Sequence, residues 1–213
     1  MTSPAMAMPS ISVMDDVTLV RGAGEQLVVA CDSCAGAGDK PHDHVHVTPY
    51  TVGRFTCRVP LLEVLALGAQ PFLVVSAIGV EPEPTGAEIL RGIRDEMRTA
   101  GVPDGSVLIS TEKNMPVSQT AAGVTVLAGL PRGFMRYGLG RAGDMVAAVG
   151  LPKVGAEVCL DDPEIADIPT LQLALAFPFL REALPVGSAG IAREADLSGP
   201  TPSTHDWPAE PRG

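Results

Sequence analysis

The apolar positions of this chain fall into short β-branched runs separated by stretches of helical spacing. Residues 27–31 (LVVAC) form one such run, which stops at Asp32 and passes into SCAGAGDK. A short apolar run bounded by small residues predicts a strand that feeds a flexible loop. Residues 45–52 alternate weakly. In the text that follows, GRFTCRVPLLEVLALGA, Phe55, Val59, Leu62 and Leu65 or Ala66 recur at helical spacing, so a helix ending at Gly68 is expected. Pro60 lies inside that pattern and either starts a second segment or kinks the helix, at about 3 kcal/mol if it is interior.

Residues 72–80 (FLVVSAIGV) read as a buried strand, followed by EPEP and by Thr85, a candidate N-cap for a helix over 86–100. That helix sets Ile89, Ile93 and Met97 on one face and ends at Gly101. Further strands are expected at 107–110, 123–127 and 145–149, with a short apolar helix near 171–180. No internal repeat is present. The reading is an α+β fold, a mixed sheet packed against helices, in one domain over 1–197. Residues 198–213, rich in proline and nearly devoid of aliphatics, read as a flexible tail.

Charge narrows the partners. With 25 acidic and 15 basic side chains the net charge is −10, which argues against nucleic acid or an anionic membrane and for small-molecule chemistry. No run approaches the roughly 18 apolar residues of a membrane span, and residues 1–12 lack the basic start of a secretory signal, so a cytoplasmic location is expected. Gly 23 and Pro 20 against Phe 5, Tyr 2 and Trp 1 describe an aliphatic core joined by sharp turns, not a long helical bundle. Four cysteines (Cys31, Cys34, Cys57, Cys159) are too few for a disulfide scaffold at 213 residues, and reduced thiols are expected.

The familiar phosphate-binding and hydrolase motifs are absent: no G-x-x-x-x-G-K-[ST] loop, no G-x-G-x-x-G after a strand, no G-x-S-x-G elbow. What remains is a set of polar residues at strand ends: Asp32, Asp39 and Lys40 after the first strand, Glu63 on the helix, and Ser110 to Asn114 after another. Strand ends meet at one rim of a sheet, where carboxylates can hold magnesium and a lysine can neutralise a phosphoryl group. The competing reading is ordinary loop solvation. Cys31 and Cys34 form a C-x-x-C, and His42, His44 and His46 would share one face of an extended segment. A structural zinc site needs a second paired motif, which is missing, so small buried cysteines and a solvated histidine edge are preferred and no stoichiometric zinc is expected.

In chain order these pieces resemble a known family. VVACDSCAGAGDK is similar to the ligand-binding loop of the aminoimidazole ribonucleotide synthetase superfamily, which binds ATP without a Walker loop. VGRFTCRVPLLEVLALGAQPFLVV resembles its next hallmark, a helix with an acidic residue followed by Gly-Ala-x-Pro and a buried strand; Glu63 stands where many members have Asp. LISTEKNMPVSQTAAGVTVLAG and GRAGDMVAAVGLPKVGAEV resemble the later polar turn and Gly-Asp strand. Within the superfamily, HDHVHVTPYTVGRFTCRV, EPEPTGAEILRGIRDEM, STEKN and LPVGSAGIAREA resemble the single-domain α-ribazole kinase group.

The resemblance implies an ATP-dependent small-molecule kinase, with α-ribazole as the expected acceptor in salvage of the cobalamin lower ligand. It implies strands that pair across a homodimer into a barrel-like assembly, with ATP as co-substrate and Mg2+ as cofactor. Carried over by position, Asp32 and Glu63 are the catalytic and metal-binding candidates, joined by Glu112 for a further metal or nucleotide contact. Gly36, Gly38, Lys40, Thr111, Glu112 and Asn114 are candidates for nucleotide and phosphate binding. His42, Arg54 and Arg58 are weaker substrate candidates, whose alternatives are an exposed histidine and a solvated helix face. Two-domain members continue into a substrate domain of comparable size, and the lack of one after Leu197 is expected to exclude their complete activities. A non-catalytic nucleotide-binding or regulatory protein, or an ATPase acting on another metabolite, are the other functions considered.

Overall fold

The computed structural model describes residues 9–22 and 26–197. Six strands form one open mixed sheet in the order β1-β2-β3-β8-β6-β7, namely β1 Ser10–Met14, β2 Val17–Arg21, β3 Gln26–Ala35, β8 Ala121–Leu130, β6 Gln70–Ile78 and β7 Val107–Thr111. A two-stranded parallel pair, β4 Ala37–Gly38 with β5 Val45–His46, follows β3. β8 lies antiparallel between β3 and β6, and β6 pairs parallel with β7. The C-terminal ends of β3, β6 and β7 therefore reach one rim, as expected for residues that follow strands in such sheets. The register carries Asp32 of β3 opposite Val124 of β8, and Val124 opposite Ser76 of β6.

Two helices, α1 Pro49–Ala66 and α2 Ala87–Thr99, are the main cover of the core. α1 starts earlier than its apolar pattern suggests, because Thr48 Oγ1 accepts a hydrogen bond from the Thr51 N–H at 3.2 Å and Pro49 needs no amide partner in the first turn. It runs unbroken through buried Pro60, which settles the choice between one helix and two. α1 and α2 cross closely at two glycines. A Cβ at Gly53 would fall 2.0 Å from the Ile89 carbonyl oxygen, and one at Gly92 would fall 2.2 Å from that of Tyr50. Ile89, Ile93 and Met97 of α2 are fully buried, as their spacing predicts, with Leu61 and Val64 of α1 and Val28, Val74 and Val126 of the sheet.

Several expectations need correction. β1 and β2 were not expected, and they extend the sheet by two strands. Thr85 does not cap α2: its hydroxyl donates to Glu81 Oε1 at 2.6 Å within a wide turn over Pro82–Gly86, and α2 begins after Gly86 without a side-chain cap. Residues 145–149 are not a strand. Among the described residues they have no partner strand, and Met145 is 92% exposed. The apolar helix expected near 171–180 is α3 Ile168–Leu175, capped by Asp167 and ending five residues before Leu180; a further helix, α4, spans Gly190–Leu197. The sheet is not closed into a barrel within the chain: β1 and β7 are its edges. The tail over 198–213 and residues 1–8 lie outside the described residues. Among the described residues no helix is long and apolar enough to cross a membrane.

Candidate functional site

The strand pairing builds the site. β1 and β2 turn back at Asp15 and Asp16, and β2 registers Val17 opposite Ala30 of β3, so the turn reaches the same end of the sheet as Asp32. Asp32 is on the helix-covered side, the parity of Val28 and Ala30, and α1 carries Glu63 over that side of the sheet. Glu63, Asp15 and Asp16 line one cavity with Tyr137 and Glu194.

Charge crowding is recorded in the acidities. Burial pushes the Glu63 carboxyl up to about 8, with repulsion from Asp16, Glu194, Asp15 and Asp32 adding to it. Asp32 is raised by burial and by Asp16, against a hydrogen bond from the Ser33 amide. Asp16 is raised by burial and by Asp15, and Glu194 by burial and by the same two aspartates. A site of carboxylates that resist ionisation is one that a hard cation would relieve, and its all-oxygen chemistry suits magnesium. Among the described residues no three such groups converge as a ready-made ligand set. Magnesium commonly takes one or two carboxylates and completes its shell with water and phosphate oxygens, so the donor chemistry fits.

The segment after β3 is pinned, which corrects the flexible-loop expectation. Asp43 is buried and accepts hydrogen bonds from the Thr120 amide at 2.8 Å, the Thr120 hydroxyl at 2.7 Å and the Lys40 amide at 2.9 Å. Burial raises its pKa, but those donors outweigh burial and hold it below the usual carboxylate range. Gly38, at φ +156°, leaves no room for a Cβ, which would meet Thr120 Oγ1 at 2.1 Å. Gly36, at φ +74°, donates its amide to the Thr120 carbonyl at 2.9 Å. Both glycines thus serve this packing. Lys40 reaches across to Glu81, Nζ to Oε1 at 2.6 Å, and that carboxylate also takes the Thr85 hydroxyl.

Other candidates are dispersed. His42 shares a hydrogen bond with Ser118 Oγ at 3.0 Å on the surface. Arg54 and Arg58 neither solvate the helix nor face the acidic cavity: they clamp Glu96 of α2, 1% exposed, at 2.5 and 2.8 Å. Thr111 ends β7, and Glu112 Oε1 accepts from the amides of Asn114 (2.6 Å) and Met115 (3.0 Å), which closes a turn and lowers its pKa. β7 lies three strand spacings from β3, about 14 Å, so Glu112 does not join Asp32 and Glu63 around one ion. Cys31 is exposed, which corrects its buried assignment, and Cys34 turns to the opposite face, so this C-x-x-C cannot act as one pair of ligands.

The sequence reading missed Asp15 and Asp16. The signal was a turn, Met-Asp-Asp-Val, between two runs with period-two alternation, SISVM and VTLVR.

No curated protein sequence matches the chain. Among solved structures it is similar to thiamine-monophosphate kinase from Stenotrophomonas maltophilia K279a, at 21% identity over 62% of this chain and 40% of that one, with a TM-score of 0.42. Thiamine monophosphate kinase from Aquifex aeolicus gives 16% identity over 62% of this chain and 42% of that one, with a TM-score of 0.44. PurL of T. maritima in complex with ADP gives 14%, 54%, 20% and 0.39 for the same quantities. The match thus spans about two fifths of the length of the two kinases. The family model described as AIR synthase related protein, N-terminal domain, matches residues 14–128, which run from the end of β1 nearly through β8 and include Asp15, Asp16, Asp32 and Glu63. With more than half of its length matched, the chain belongs to that family.

Proposed function

We propose that the chain is an ATP-dependent small-molecule kinase whose phosphate-transfer site is the acidic rim around Asp32 and Glu63. The observation that carries this reading is the gathering of Asp15, Asp16, Asp32 and Glu63 from three separate elements at one end of the sheet, in a region matched by the family model. Asp32 and Glu63, with Asp16 beside them, would hold magnesium, which when bound neutralises the polyphosphate. The protein's own part is then alignment and exclusion of water. α1 and β3 fix the two carboxylates on rigid elements, and the Asp43–Thr120 bonds fix the backbone that carries Lys40. Lys40 serves the phosphates once it leaves Glu81.

The acceptor proposed is α-ribazole, through its ribosyl 5'-hydroxyl, on the strength of the segment resemblances. The test is a phosphate-transfer assay of the purified chain with ATP, magnesium and α-ribazole beside other nucleosides. Transfer to α-ribazole is the expected result. Binding of ATP without transfer to any acceptor would favour the non-catalytic reading, and hydrolysis alone the ATPase reading.

A homodimer belongs to the same proposal. The uncovered face of the sheet carries Ile11 (65% exposed), Val13 (74%) and Leu108 (62%), apolar surface that pairing with a second copy would remove from water.

A further inference from the structure

We propose that residues 183–197 form an autoinhibitory strap that closes the acidic site and must swing aside before the polyphosphate of a nucleoside triphosphate can enter. The inference rests on the kinase reading above and adds a gate to it. Asp15, Asp16 and Glu63 line one side of the cavity, and Leu184, Pro185 and Glu194 of the strap line the other. The space left between them is about 20 Å³. That volume holds one water or a bare cation. Pockets that bury small organic ligands run to about 300–1,000 Å³, more than tenfold larger. With the strap in place this cavity admits a metal ion and not the phosphates of a nucleotide.

The strap is tied to the body of the protein near both of its ends. At its start, Glu182 accepts hydrogen bonds from the amides of Leu139 (2.9 Å) and Gly140 (3.2 Å), and Arg181 pairs with Asp144 at 2.8 Å. Residues 183–187 then cross the site without regular structure. Gly187 runs beside both carboxylates: a Cβ there would lie in ordinary contact, 3.6 Å from Asp16 Oδ2 and 3.4 Å from Glu194 Oε1. Gly190, at φ +82°, turns the chain into α4. At the far end Arg193 meets Asp15 at 4.0 Å, both side chains partly solvated, a pair of small energy. Glu194 sets a carboxylate against three others, so the closed strap brings like charges together at the cavity. A cation alone would ease that repulsion and leave the strap shut, whereas a bound triphosphate would occupy the strap's place.

The test is hydrogen–deuterium exchange of the full chain, free, with magnesium alone, and with magnesium plus a non-hydrolysable ATP analogue, with thermal shift as an independent measure of binding. The expected result is that amides of residues 187–197 exchange about tenfold faster with the analogue than in the other two states, while those of 139–144 do not change. Analogue bound by thermal shift with residues 187–197 as slow as in the free protein would overturn the strap and leave the kinase reading standing. A second arm uses Arg193→Glu, which replaces attraction to Asp15 by repulsion at an exposed position, with Arg193→Gln as the milder variant. Binding of the analogue about fivefold tighter than wild type supports the gate; affinity unchanged in both variants counts against it. No binding in wild type or either variant overturns the kinase reading itself.

Discussion

Through Leu130 the chain buries alternate residues of its strands: Val28 and Ala30 of β3, Val74 and Ile78 of β6, and Ala122, Val124, Val126, Ala128 and Leu130 of β8 are all 4% exposed or less. Beyond it, in segments without a strand or helix, Phe134, Met145, Val154 and Phe179 are exposed although they are apolar. The second region is tied by polar contacts instead. Lys153 joins Asp162 (2.5 Å) and Glu164 (2.6 Å), Arg181 joins Asp144, and Glu182 takes two amides. Apolar side chains make a core where a backbone ladder or helix holds them on one side. Loops that must satisfy their own amides leave such side chains outside.

The comparison can be broken most forcefully at Glu96. Its removal as Glu96→Gln strips the charge from a buried carboxylate that two arginines share, and a loss of about 3–5 kcal/mol is expected in urea unfolding. A loss under ~1 kcal/mol would mean that the clamp does not hold α1 to α2. Next is Leu61→Ala, a fully buried site, with an expected loss of about 2–5 kcal/mol; Phe179→Ala, 79% exposed, should stay within about 0.5 kcal/mol. Equal effects at the two positions would erase the distinction between the regions.

Function should separate from stability at Asp32. Asp32→Asn is expected to lower phosphate transfer about 100-fold or more with the melting temperature kept or raised, because it removes a crowded charge. Undiminished turnover would remove Asp32 from the site. Glu63 offers a subtler measurement. Its folded carboxyl keeps its proton to about pH 8, while the unfolded one loses it near 4.5. Between those values the folded state binds more protons, so metal-free stability should decline as pH rises from about 4.5 to 8, by on the order of 5 kcal/mol. Glu63→Gln should flatten that decline, and an identical slope in both proteins would refute the assignment. The smallest expected signal is oligomeric: sedimentation should show a dimer, and Leu108→Lys on the open sheet face should return it to the 22.0 kDa species.

Local pattern was enough to determine much of the first region. The runs LVVAC and FLVVSAIGV became parts of β3 and β6, the Ile89–Ile93–Met97 stripe became the buried face of α2, and Asp32 and Glu63 stood out as polar residues at the borders of apolar elements. Such features depend on residues two to four apart, whose spacing the chain itself fixes. Which of them meet depended on the sheet order, in which β8 inserts between β3 and β6, β2 pairs with β3, and β1 folds back on β2 through the two-residue turn Asp15–Asp16. That order brought Asp15 and Asp16 to Glu63, took Arg54 and Arg58 away to Glu96 and held Lys40 against Glu81, while Leu184, Pro185 and Glu194 came to line the same cavity as the carboxylates. These pairings join residues 38 or more positions apart in the clamp and 41 apart at Lys40, and no period in the sequence encodes them. They are settled by which packing of the finished elements buries the apolar faces and still finds a partner for each charge.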